Sequence, residues 1–107
     1  MDPCVNDERF QIAGFSGEID FTTREELRTK LAPLSEAQAP IVDLSAVTYM
    51  DSSALAEILY VQRGRDRSGR TRVWVVASPA VRRLFEAAGL NDVLSVATTL
   101  DEAKASS

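Results

Sequence analysis

Apolar residues along the chain follow two alternating patterns, short strand-like runs and longer stretches that favour helices. The strand-like runs lie at residues 10–15, 41–44, 73–77 and 93–96. The helix-like stretches follow them at residues 22–34, 52–67, 78–89 and 99–105. Strands that alternate with helices in this way are joined by right-handed crossovers. The pattern predicts an α/β fold, in which a mostly parallel sheet of four to five strands packs against about four helices.

Residues 41–55 combine a buried strand, a short connection and the first turn of a helix. The helix begins at Asp51, Ser52 and Ser53, which are all residue types that bind the free N–H groups of a helix start. A helix start also favours a dianion, through these N–H groups and the helix dipole. The two serines therefore stand where a phosphoserine would be stabilised, although a plain helix cap explains these residues alone more simply.

The first helix-like stretch is preceded by turn and cap signals. Gly17 is predicted to lie in a bulge or turn, and Asp20 to cap a turn, so that together they close the strand that begins at Phe10. Thr22 and Thr23 each precede a glutamate by three residues, which is the spacing of a capping box.

The later helices carry similar signals at their ends. Ser78 is predicted to cap a helix with Pro79 at its first position, and Gly89 to end that helix. Thr99 and Glu102 have the spacing of a second capping box, at the start of the last helix.

The composition of the 107-residue chain excludes several kinds of chemistry. The chain has no histidine, which removes the commonest general base and nearly all zinc sites. Its single cysteine, Cys4, excludes an internal disulfide and a site of several thiolates. We therefore expect no catalytic residues, no cofactor and no metal ion, and a binding module is favoured over an enzyme.

Size and charge indicate one domain over residues 1–107, in which residues 1–9 form a polar arm or a short edge strand. The formal net charge of −4 argues against direct binding of nucleic acid. No apolar run approaches the length of a membrane span, and the first residues lack the layout of a signal peptide. A cytoplasmic protein is the resulting expectation.

Arginines cluster at the end of the second helix-like stretch. The cluster consists of Arg63, Arg65, Arg67, Arg70 and Arg72. Such a cluster can form a nucleic-acid patch, but no aromatic residues are interleaved here for base stacking. Because cations at the C-terminus of a helix complement its dipole, a solvated helix end is the favoured interpretation.

Two motifs resemble those of a known family. Residues 17–20 read Gly-Glu-Ile-Asp, residues 42–45 read Val-Asp-Leu-Ser and residues 50–55 read Met-Asp-Ser-Ser-Ala-Leu. Their order is similar to the STAS domain of the anti-sigma factor antagonists, whose second motif runs Asp-Leu-Ser and then Asp-Ser-Ser-Gly-Leu. The resemblance covers residues 10–102 and implies a STAS-like fold. Ala54 departs from the pattern, which has glycine at that position.

The resemblance implies a protein-binding module that is controlled by phosphorylation. It would bind a serine-kinase anti-sigma factor when Ser52 is unphosphorylated and release it after phosphorylation, so regulating transcription through a sigma factor. Asp51 would cap the helix and direct the Ser52 hydroxyl, with Ser53 as a neighbouring polar contact. Asp20 would lie beside this helix start, on the surface that meets the kinase. The methyl of Ala54 would alter partner choice or weaken kinase docking.

Several alternatives stay open. A phosphoserine phosphatase as a further partner and a weak homodimer are both compatible with the sequence. A STAS-type accessory subunit of a lipid or anion transporter would keep the fold but would not be phosphorylated. A nucleotide or small-ligand sensor has no Gly-rich phosphate loop to support it. An enzyme would need an acid–base group of Asp20, Asp43 and Asp51, although caps and turns explain each of them.

Overall fold

The computed structural model describes residues 10–90 and 93–106, and the arm or edge strand predicted at residues 1–9 lies outside these ranges. Within them, a parallel sheet contains four strands in the order β1 (Phe10–Ile19), β2 (Ala39–Met50), β3 (Trp74–Ala77) and β4 (Ser95–Ala97). The helices are α1 (Arg24–Leu31), α2 (Ser52–Arg67), α3 (Pro79–Ala88) and α4 (Leu100–Ser106). The predicted α/β fold with a parallel sheet is confirmed. None of these helices is long and apolar enough to cross a membrane.

Successive residues of the central strands face opposite sides of the sheet, which divides the core into two parts. One side packs against α1, α2 and α3 through Val42, Leu44, Val75 and Ala77. The other side packs against α4 through Ile41, Val76 and Ala97. The central strands are therefore covered on both faces, which explains why residues 73–77 form a continuous apolar run.

The first two strands are longer than the sequence pattern predicts. β1 continues to Ile19, and residues 45–50, which were expected to form a short connection, are the second half of β2. The strands stay paired as far as Ile19 opposite Met50, across register shifts beside Gly14 and Gly17. Gly17 has a φ of +73°, as the predicted bulge requires. The strand lengths were mispredicted because each shift breaks the two-residue period of buried positions.

The chain enters α1 through a 3-10 turn, Phe21–Thr23, which Asp20 caps as predicted. The Asp20 carboxylate accepts a hydrogen bond from the N–H of Thr22 at 2.9 Å, and the Thr23 hydroxyl accepts one from the N–H of Asp20 at 3.0 Å. The capping boxes predicted between these threonines and later glutamates are wrong. Thr23, the residue before α1, makes no side-chain cap bond to that helix because it already closes the turn.

The later helix ends agree more closely with their sequence signals. At the start of α3, Ser78 accepts a hydrogen bond from an N–H of the first turn at 3.3 Å, and Gly89 follows the helix with a φ of +70°. Both predicted caps are confirmed. Before α4, Thr99 accepts from the N–H of Glu102 at 3.1 Å, but the Glu102 carboxylate accepts from the N–H of Thr98. Of the two reciprocal hydrogen bonds of the predicted capping box, the one to the Thr99 hydroxyl is formed, and the one from the N–H of Thr99 to Glu102 is replaced by the bond from Thr98.

The arginine cluster at the end of α2 is not uniformly solvated. Arg65 is 1% exposed, and its guanidinium donates to the carbonyl oxygens of Leu34 at 2.7 Å, Ala37 at 2.8 Å and Thr71 at 2.8 Å. The solvated helix end is therefore the wrong interpretation for Arg65, because α2 carries this side chain beneath the segment that leads into β2. The exposed members of the cluster are Arg63, Arg67, Arg70 and Arg72.

Candidate functional site

The start of α2 is organised by the carboxylate of Asp51. The N–H of Asp51 donates to the carbonyl of Ile19 at the end of β1, at 3.1 Å. Its Oδ1 accepts hydrogen bonds from the N–H of Ala54 at 3.0 Å and from the hydroxyl of Ser53 at 2.8 Å. These two donors, with a smaller contribution from the N–H of Phe21, hold the pKa of Asp51 below its ordinary value. Asp51 is therefore an ionised cap that joins the ends of two strands to the start of a helix.

Ser52 and Ser53 differ in exposure and in hydrogen bonding. Ser53 is half-buried, and its hydroxyl donates to Asp51. Ser52 is exposed at the first position of α2, and its hydroxyl makes no hydrogen bond within residues 10–90 and 93–106. A kinase must reach and orient the hydroxyl that attacks the phosphoryl group. Of these two adjacent serines, Ser52 has the hydroxyl that is available for such a reaction.

Asp20 directly follows β1 and lies close enough to Asp51 for the two charges to interact. Its Oδ1 accepts from the hydroxyl of Thr22 at 2.6 Å and from the N–H of the same residue at 2.9 Å. The Thr22 hydroxyl is the largest cause of a lowered pKa at Asp20, while the charge of Asp51 acts in the opposite direction. The start of α2 is therefore bordered by two carboxylates.

Ala54 is 0% exposed and belongs to the main core. Its methyl group points into the protein from the first turn of α2 and is not part of the surface around Ser52. The sequence placed Ala54 among the residues that meet a partner, and this placement is corrected by its burial. In the first turn of α2, the exposed residue is Ser52, whereas Ala54 and Leu55 are buried in the core.

Asp43 is not brought to the same site as Asp20 and Asp51. Its Oδ1 accepts from the N–H of Ser45 at 3.0 Å and from the Ser45 hydroxyl at 2.7 Å, at the first register shift between β1 and β2. Asp43 precedes Asp51 by eight positions along this strand. At about 3.3 Å per residue, this spacing corresponds to roughly 20 Å or more. These three carboxylates therefore do not form one acid–base group.

Two exposed aromatic residues near the helix start were not identified from the sequence. Phe21 is 60% exposed, and its N–H is directed toward Asp51. Tyr49 is 52% exposed and lies two residues before Asp51 in β2. Exposed aromatic side chains are frequent at protein contacts. The sequence contained one signal, an aromatic residue directly after Asp20, but its exposure depends on the 3-10 turn.

Both the sequence and the fold of the chain match known proteins. The family model for the STAS domain matches residues 6–103. An anti-sigma-B factor antagonist of Bacillus subtilis is 33% identical over 97 residues, which cover 90% of this chain and 88% of that protein. An anti-sigma factor antagonist from Mycobacterium paratuberculosis has a crystal structure with a TM-score of 0.79 at 27% identity, covering 92% of this chain and 86% of its own. The anti-sigma factor antagonist SpoIIAA, solved in its unphosphorylated form, shares the fold at a TM-score of 0.65 and 19% identity, covering 88% of this chain and 84% of its own.

Proposed function

Because the chain belongs to the STAS domain family, we propose that it acts as an anti-sigma factor antagonist whose binding is controlled by phosphorylation. Its unmodified form binds a serine-kinase anti-sigma factor, which then no longer restrains a sigma factor. Phosphorylation of Ser52 ends this binding, and a phosphoserine phosphatase restores it. The protein is then a cytoplasmic regulator of transcription and not an enzyme.

The observation that carries this function is the hydroxyl of Ser52, which has no hydrogen-bond partner among residues 10–90 and 93–106. It is exposed, whereas the hydroxyl of Ser53 is half-buried and engaged with Asp51. In this function, Asp51 holds the first turn of α2 so that Ser52 stays at the surface. Ser53 keeps Asp51 in place, and Asp20 contributes to the surface that meets the kinase. Ala54 acts through the core, since none of it is exposed.

Phosphorylation acts through charge. A phosphoryl group adds about −1.5 to −2 charges to the start of α2. Within the chain, the dipole and the free N–H groups of the helix stabilise the phosphoserine by roughly 0.3–1 kcal/mol, so the fold is retained. In the complex, the same charge must lose its water beside Asp20 and Asp51 and beside any acidic group of the partner. Release of the kinase therefore needs no refolding.

The first test is an affinity capture from the host with the wild type and the variants Ser52→Ala, Ser52→Glu and Ser53→Ala. The intact mass of each recovered protein is measured as well. We expect an anti-sigma factor kinase with the wild type, Ser52→Ala and Ser53→Ala, but not with Ser52→Glu. One phosphoryl group should appear on the wild type and on Ser53→Ala, and none on Ser52→Ala.

Two results would contradict this function. Phosphorylation that persists in Ser52→Ala and disappears in Ser53→Ala would show that Ser53 is the acceptor and Ser52 is not. Recovery of the same transport or scaffold protein by all four proteins, with Ser52 unmodified, would favour the accessory subunit of a transporter instead.

A further inference from the structure

Two carboxylates border the start of α2, and each accepts the proton of a nearby hydroxyl group in a hydrogen bond. The hydroxyl of Thr22 donates to Oδ1 of Asp20 at 2.6 Å. The hydroxyl of Ser53 donates to Oδ1 of Asp51 at 2.8 Å. The hydroxyl of Ser52 has no such bond in the part of the chain that the structure describes. Around this helix start, the carboxylates therefore bind the hydroxyls beside Ser52 and not Ser52 itself.

The hydrogen bond of Ser53 matters because a hydroxyl group has only one proton to donate. When a kinase transfers a phosphoryl group, its own catalytic carboxylate must accept that proton. Ser53 can offer its proton to a kinase only after it breaks the bond to Asp51, which is strengthened by the negative charge of the acceptor. Breaking a bond of this kind slows the transfer by about tenfold to a hundredfold. Ser52 has no bond to break before it reacts.

Asp51 holds the hydroxyl of Ser53 without activating it. The same Oδ1 also accepts the N–H of Ala54 at 3.0 Å, which fixes the carboxylate at the end of the helix. The N–H of Ala54, followed by the hydroxyl of Ser53, keeps the pKa of Asp51 below its ordinary value. A general base works best when its pKa lies near the pH of the reaction, so this carboxylate is a poor one.

The position of each serine in α2 explains why only one of them is held. Asp51 stands directly before the helix, Ser52 is its first residue and Ser53 its second. A capping carboxylate lies over the second and third residues of the helix that it caps, because it accepts their donors. The first residue instead projects away from the cap, and Ser52 is accordingly exposed whereas Ser53 is half-buried.

We infer that Asp51 is the residue that decides which of the two adjacent serines is phosphorylated. It makes Ser52 the acceptor by keeping the hydroxyl of Ser53 in a hydrogen bond within the chain. The inference rests on the proposed function, in which a kinase reaches this helix start. Asp51 is thus a positioning residue that acts through Ser53, in addition to its part in forming the helix.

The test uses the purified host kinase that phosphorylates Ser52 and measures how the first phosphoryl groups divide between the two serines. Peptide fragmentation locates each group at early reaction times in the wild type and in Asp51→Gly. We expect the ratio of modified Ser53 to modified Ser52 to rise by about tenfold or more in Asp51→Gly. Weaker docking of the kinase lowers both rates and leaves their ratio unchanged. Glycine is tolerated at this position before a helix, and urea unfolding checks that the variant is folded.

Two further variants and one spectroscopic measurement serve as controls. Asp20→Gly removes the same group from a residue that also caps a helical turn but does not bind Ser53, so the ratio should stay as in the wild type. Asp51→Asn keeps an oxygen acceptor without its charge, and its ratio should lie between those of the wild type and Asp51→Gly. NMR couplings between the α and β protons of Ser53 should show one rotamer in the wild type and several in Asp51→Gly.

Each other outcome overturns the inference in a recognisable way. If the couplings show that Asp51→Gly releases Ser53, and the kinase still modifies Ser52 alone, the proposed function stands and Asp51 does not select the acceptor. If Ser53 keeps one rotamer in Asp51→Gly, another contact holds it. If Asp20→Gly raises the ratio as much as Asp51→Gly does, the lost surface charge is responsible and not the hydrogen bond.

Two outcomes would affect the proposed function as well. If the kinase modifies Ser53 in the wild type and fails to do so in Asp51→Gly, Asp51 activates Ser53, and both the proposed acceptor and the inference are wrong. If no host kinase phosphorylates the wild type, the proposed function and the inference fail together.

Discussion

Asp51 illustrates how much one side chain decides at the scale of single residues. Its carboxylate accepts hydrogen bonds from the hydroxyl of Ser53 and from the N–H of Ala54, whereas the hydroxyl of Ser52 has no partner in the described part of the chain. The departure from the family pattern at Ala54 is also a matter of one residue. Because this methyl is fully buried, its effect falls on packing and helix formation, where alanine is the better residue.

Asp51 should also leave a signature in the pH dependence of stability. Its pKa is lower in the folded chain than in the unfolded chain, so its contribution is fully present above the unfolded value near 3.9. That contribution is lost as the pH falls through the lower folded pKa. We expect Asp51→Asn, which can still cap the helix, to be less stable than the wild type at pH 7, and this difference to shrink toward pH 2. Urea unfolding of both proteins across this range measures it, and a difference that stays constant with pH would contradict it.

At the scale of secondary structure elements, Arg65 connects segments that are distant in the chain. Its guanidinium binds carbonyl oxygens before β2, at Leu34 and Ala37, and before β3, at Thr71. Burial is the main cause of the lowered pKa of Arg65, and the charge of Arg70 adds to it. The planar group presents five donors in a fixed arrangement, which is what several carbonyls at once require.

The substitution Arg65→Lys should therefore be costly although it keeps the charge. An ammonium on a single flexible stem cannot reach all three carbonyls, and each one left without a donor costs about 1–3 kcal/mol. We expect a loss of about 3 kcal/mol in the free energy of unfolding, measured in urea. Arg67→Lys, two residues later and exposed, should change it by about 0.5 kcal/mol or less. Equal effects of the two substitutions would show that the buried contacts contribute little.

At the scale of the whole molecule, the sheet supports the start of α2, where we propose that Ser52 is phosphorylated. β2 leads directly into α2, and it is paired with β1 on one side and with β3 on the other. Three helices cover one face of this sheet, and α4 covers part of the other. A charge added at Ser52 therefore changes the surface of the protein and leaves the packing of its core intact.

This support predicts how the phosphorylated protein unfolds. In a protein with phosphoserine installed at position 52, we expect the free energy of unfolding in urea to differ from that of the unmodified protein by about 1 kcal/mol or less. Amide NMR shifts should change around the start of α2 and stay unchanged in β3 and β4. Shift changes throughout the sheet, or a loss of the cooperative transition, would mean that phosphorylation acts by refolding.

The sequence by itself determined the features of this protein that arise from neighbouring residues. The alternation of strands and helices follows from local apolar periods, and the caps at Asp51, Ser78 and Gly89 follow from residue types that suit one backbone conformation. The acceptor serine and its kinase came from a motif, and they remain a proposal for experiment. The bounds of α2 were also predictable, because its first and last residues carry their own signals.

Only the tertiary structure decided the features that depend on segments far apart in the chain. The second half of β2 exists because β1 continues beside it across two register shifts. Arg65 is buried because carbonyls from positions around 30 residues earlier surround it. Arg28 of α1 forms an ion pair with Glu57, 29 positions later in α2, because the two helices pack beside each other. Such contacts cannot be predicted from neighbouring residues, because the packing of the whole chain decides which distant groups come together.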